Sequence, residues 1–232
     1  MKKLIFIIIT ALGSSCISNN ESSGIDEILE FYGGRVEYSI GANASTEDEL
    51  QGKFFELKMM DVDFDKYFQD NYRLPASNIA YLYYKNLDES ERDDYSFIRV
   101  VLTNDSNEYI LEFSTDQLEQ IRSSMPIMDS TVEYLAKQDY QGLILTFHPM
   151  LRSNLDSLKY TNEQLGIDQQ YGKVTGFSLQ GFKTTQLAVQ NSTLNCLRIS
   201  GVLLRETQKT DFSITIEADR YSKAILGIRY AK

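Results

Sequence analysis

One histidine, His148, and no tryptophan are the sharpest absences in this 232-residue sequence; two cysteines and three prolines are nearly as sparse. A lone histidine excludes zinc sites built on several imidazoles, and Cys16 and Cys196 are too few for a cysteine cluster. No serine stands in a G-x-S-x-G setting, and no glycine-rich loop opens a helix as a phosphate cradle requires. Basic residues are short too: 23 Lys and Arg face 33 Asp and Glu, for a net charge of −10, with no basic run. That argues against nucleic acid or an anionic lipid surface as the main partner, since both need clustered cations.

The chemistry that remains is thin. His148 precedes Pro149, where a histidine reads as a helix cap or a half-buried polar residue. Asp61, Asp63 and Asp65 suggest a calcium loop, but its sixth and twelfth places hold Lys66 and Tyr72 where Gly and Glu are needed, so a solvated acidic turn is expected. Asp93 and Asp94 read the same way, and Cys196 reads as a small buried hydrophobe. Asp139 and Tyr140 are candidates for an acid and an oxyanion donor, with little to single them out among fifteen tyrosines. No catalytic residue, no metal and no cofactor are therefore expected.

What is present begins at the N-terminus. Lys2 and Lys3 precede an apolar run over 4–12, then small residues and Cys16. Nine or so apolar residues fall short of the ~20 that span a bilayer, so residues 1–15 read as a cleaved signal peptide. The polar stretch 16–24 then reads as a flexible tether. With a cysteine at the cut, the segment resembles a bacterial lipoprotein signal, with Gly13 where that family usually has Leu. The resemblance implies lipidation of Cys16 and a place in the bacterial cell envelope. Glu21 is the single acid near the cysteine, so the expected side is the periplasmic face of the outer membrane, with the cell surface as the alternative.

The body reads as α+β, in two domains that each pair an antiparallel sheet with helices. In 25–123, Ile25, Ile28, Leu29 and Tyr32 have helical spacing, stopped by Gly33 and Gly34. Strands are expected around 36–40, 55–59, 97–103 and 108–113, with a helix over 76–87. Ser114 and Gln117 form a capping box for a further helix, which Pro126 is expected to stop, so the domain boundary is placed at 123–126. In 127–232, Ser130 with Glu133 and Thr161 with Gln164 predict helix starts, and four strands follow over 173–183, 193–205, 211–219 and 224–230. Phe212, Ile214 and Ile216 alternate with Ser213, Thr215 and Glu217.

Helices followed by a meander, with Leu135 to Gly142, Phe147, the 161–165 helix, Tyr171-Gly172 and the closing 218–228 hairpin, resemble the cystatin-like cones of the nuclear-transport-factor-two-like superfamily. The resemblance implies a curved sheet around helices, often with an apolar pocket, here lined by Phe147, Phe177, Leu179, Phe212 and Ile214. The expected function is a non-enzymatic envelope lipoprotein, held at the membrane by its lipid, whose cone binds a small apolar ligand or an envelope partner protein. The alternatives are a cone-type lyase or isomerase, marked by a close inward Asp–Tyr or Asp–His pair, and an assembly lipoprotein, marked by a filled cone with an exposed apolar face.

Overall fold

The computed structural model describes residues 17–44, 50–64, 71–104, 107–189, 192–218 and 224–230. Helix α1 (Asn19–Tyr32) starts from a capping box: the Ser18 hydroxyl accepts from Glu21 N at 3.0 Å, and Ser18 N donates to the Glu21 carboxylate at 2.9 Å. The expected tether over 16–24 is thus helical from Asn19 onward. Gly24 explains why the helix is held there, since a Cβ on it would lie 3.0 Å from Tyr83 Cα.

Strands β1 (Arg35–Asn43) and β2 (Gly52–Met60) form an antiparallel pair, with Ile40 opposite Phe55. Helix α2 (Arg73–Asn86) then carries the chain back across the sheet. After the short α3 (Glu89–Asp93), strand β3 (Phe97–Asn104) lies parallel to β2, and β4 (Asn107–Ser114) turns antiparallel to β3. The first sheet, ordered β1-β2-β3-β4, is therefore mixed where the sequence suggested it was antiparallel throughout. The reason is the crossover: a helix between two strands returns the chain to the end where it began, which a tight turn does not do.

Residues 75–84 of α2 are all buried, as a helix enclosed on every side must be. It touches α1, β3 and β4 on one side and β5 of the second sheet on the other. Its buried polar residues have work: the Ser77 hydroxyl donates to Leu74 O at 2.7 Å and accepts from Phe182 N at 2.8 Å.

Helix α4 (Thr115–Ala136) runs through Pro126 without a break, so the expected stop is absent and the boundary placed at 123–126 falls inside one helix. Leu118, Ile121, Ser124, Met128, Thr131 and Leu135 make a buried stripe on both sides of the proline. Pro126 itself is exposed. Burying that stripe, at about 1.5–3 kcal/mol for each large side chain, outweighs the roughly 3 kcal/mol a helix-interior proline costs. Ser130 is interior, its hydroxyl bonded back to Pro126 O at 2.9 Å rather than capping a new helix.

Three helices follow: α5 (Tyr140–Leu145), α6 (Pro149–Arg152) and α7 (Ser157–Tyr171). Asp156, not Thr161, caps α7, accepting from Lys159 N at 3.0 Å; Thr161 sits one turn in, donating to Ser157 O. Strands β5 (Val174–Val189), β6 (Ser192–Arg205), β7 (Lys209–Glu217) and β8 (Ile225–Tyr230) make an antiparallel meander in chain order, the second sheet. Its inner face (Leu197, Ile199, Leu203, Phe212, Ile214, Ile216) joins the same buried cluster as the residues of the first sheet. The Phe113 and Phe182 rings, one from each sheet, lie 6.0 Å apart.

Candidate functional site

Irregularities in β5 set up the most distinctive surface. The β5–β6 register shifts between Leu179 and Gly181, and the first turn of α2 closes onto the bulge, so that a Cβ on Gly181 would run into Leu74 O and the Ser77 hydroxyl. This brings Asn71 and Arg73 over the outer face of the second sheet. Between them lies a cleft of about 280 Å³, floored by strands β5 to β8.

Strand alternation dictates what points into it. Lys183 of β5 stands directly opposite Arg198 of β6, which pairs in turn with Thr215 of β7. In the next row, Ser200, Ser213 and Arg229 align across β6, β7 and β8. With Arg73, four cations line the cleft against one carboxylate, Asp211, among the described residues. Arg198 is half-buried and its Nε donates to the Thr215 hydroxyl at 3.4 Å. The Arg73 guanidinium sits 5.5 Å from the centre of the Phe113 ring. None of the four makes an ion pair among the described residues, whereas Lys58, Lys85, Arg99, Arg122 and Arg205 are each paired with a nearby acid. Glu217 lies one row beyond Thr215 along the same strand.

A second polar cluster lies inside. Asp168 of α7 meets Arg205 of β6 at 2.8 Å, with side chains only 7% and 1% exposed. The other Asp168 oxygen accepts from Gln138 at 2.9 Å and from the Tyr140 hydroxyl. Arg205 also donates to Gly172 O and to the Thr210 hydroxyl. Burial, and then the hydrogen bond to Asp168, push the Tyr140 phenol well above its ordinary range. This Asp–Tyr pair is the mark named for a cone-type enzyme. Its carboxylate already accepts from Gln138, Tyr140 and the Arg205 guanidinium, so it clamps the α4–α5 turn, α7 and β6 together.

The five residues expected to line an apolar pocket share the core. Phe147 bridges to Ile225 and meets Tyr160 edge-on at 5.7 Å. Phe177 meets Phe212 edge-on at 6.2 Å; Ile214 is fully buried, and Leu179 packs against the same cluster. Of the five, only Phe212 contributes to the basic cleft, and a second cleft near Tyr171 and Tyr230 holds none. Cys16 and Asp65 lie outside the described residues. His148 caps α6, its Nδ1 accepting from Met150 N at 3.3 Å, and Asp139 caps α5. Burial raises the Cys196 thiol. Asp61 pairs with Arg35 at 3.5 Å, and no group of metal-binding side chains occurs among the described residues. Nor is any described helix long and apolar enough to cross a membrane.

The basic residues of the cleft were not legible in the sequence, because 73, 183, 198 and 229 are scattered along the chain. The only local signal was a cation at an outward position of three different strands. No family model matches the chain, and no curated protein and no solved structure does either.

Proposed function

We propose that this chain is a non-enzymatic binding protein of a bacterial cell envelope, lipid-anchored through Cys16 on the periplasmic side of the outer membrane. In this reading the second half is a cystatin-like cone that takes its ligand on the outer face of the sheet, not inside it. The observation that carries the binding reading is the contrast between the two faces. Phe212, Ile214 and Ile216 belong to the buried core, while the outer face opens into a cleft that residues from both halves build. Burial of Asp168 and its engagement by Arg205, Gln138 and Tyr140 as a structural clamp support a role without catalysis.

A protein partner is favoured by a separate observation. Leu145 and Leu158 are 68% and 71% exposed on α5 and α7, which Gln141 and Thr161 bring side by side. Large apolar side chains left exposed on two neighbouring helices suit a contact surface.

Two variants of the full chain test the proposal. Cys16→Ser should move the protein from the membrane to the soluble fraction and remove the acyl mass. Ser200→Trp fills the centre of the cleft, and should abolish any thermal shift that anionic, sugar or apolar compounds produce in the wild type. Apolar compounds that shift both proteins equally would return the ligand to the interior and refute the outer-face reading.

A further inference from the structure

We propose that the cleft on the outer face of the second sheet binds a small polyanion, a ligand bearing two or more phosphate-type oxyanion charges. The inference rests on the reading of that cleft as the ligand seat and supplies its chemistry. Lys183 directly opposite Arg198 is a like-charge cross-strand pair, which weakens a sheet unless something compensates it. Among the described residues, Asp211 is the one acid in the cleft, beside Lys183, Arg198, Arg229 and Arg73. The missing negative charge is the ligand's.

Three of the four cations are arginines, whose planar forks suit oxyanions with two acceptor oxygens. Arg198 is pre-oriented by Thr215. Arg73 is held 5.5 Å from the centre of the Phe113 ring, a cation–π contact that uses none of its N–H donors. Ser200 and Ser213 add hydroxyl donors between Lys183 and Arg229. A cleft of about 280 Å³ suits a small molecule or a single headgroup, not a nucleic-acid strand. A net charge of −10 repels anions at a distance, so selection must act at contact.

The test is calorimetric titration of inorganic pyrophosphate into the full chain, held in neutral detergent. Saturable binding that weakens with salt is expected. Arg198→Gln should weaken it about tenfold, and Arg198→Gln with Arg229→Gln about a hundredfold. Arg152→Gln, outside the cleft, should leave it unchanged. Without ligand, Lys183→Gln should raise the melting temperature by relieving repulsion from Arg198. Vesicles of phosphatidylcholine with phosphatidic acid separate the sources: competition with pyrophosphate identifies a lipid headgroup, and no competition identifies a soluble phosphate compound. Absence of pyrophosphate binding, or equal binding by the double variant, overturns the polyanion proposal and leaves the Ser200→Trp test of the cleft standing. Release of phosphate from bound pyrophosphate would instead refute the non-enzymatic reading while leaving the anion site intact.

Discussion

Replacing Arg205 by Met tests the internal clamp most directly. Methionine keeps much of the side-chain volume and removes the charge, so the Asp168 carboxylate stays buried with only Gln138 and Tyr140 as partners. With side-chain exposures of 1% and 7%, solvent cannot take over the lost interaction, and breaking such a pair costs about 3–5 kcal/mol. For a protein of this size each kcal/mol moves the melting temperature by about 2–4 °C, so a fall of roughly 6–20 °C is expected. Asp168→Leu should be equally damaging, because it strands the guanidinium against Gly172 O and the Thr210 hydroxyl. The double variant Asp168→Leu with Arg205→Met leaves no lone charge and should lose clearly less than the two singles combined. Urea unfolding followed by circular dichroism and by tyrosine fluorescence measures all four corners of the cycle. Singles costing under about 1 kcal/mol, or a double equal to their sum, would refute the clamp.

Two further predictions follow from the helices. Pro126 is exposed within α4, so Pro126→Ala should stabilise the protein, by up to about 3 kcal/mol in urea unfolding, and limited proteolysis should spare 123–129; a loss of stability or cleavage there would restore the domain joint. Tyr81 is buried on α2, and desolvation, then the charges of Asp129 and Glu27, push its phenol from 10.0 up to about 12. Above pH 10 the unfolded chain therefore gives up this proton before the folded one does. Stability should fall between pH 10 and about 12, by roughly 1.4 kcal/mol per pH unit for this group, and less steeply in Tyr81→Phe; an unchanged slope would refute the assignment.

Much of the element pattern was legible because it is local. The capping box of Ser114 and Gln117 forms as expected, and the spacing of Ile25, Ile28 and Tyr32 and the alternation of Phe212, Ile214 and Ile216 each describe one face of one element that packs into the core. Local signals also misled where a stronger distant term opposed them. Pro126 signals a stop, but the apolar stripe on both sides of it has two sheets to bury against. Ser18 to Gly24 signals a polar tether, but Gly24 fits the backbone of Tyr83, a partner 59 residues away that no local window contains. The candidate site was largely hidden for the same reason.

The sequence by itself determined the α+β class, the acidic charge, the poverty of metal and thiol chemistry, and the amphipathic faces that make up the core. Each follows from composition or from periodicities that repeat within a few residues. Tertiary structure alone decided that β3 runs parallel to β2, that Lys183 faces Arg198, and that Asp168 meets Arg205 across 37 residues of sequence. Register explains the difference. A shift of one residue turns every side chain of a strand to the other face, and the bulge between Leu179 and Gly181 is held in place by α2 from the other half of the chain.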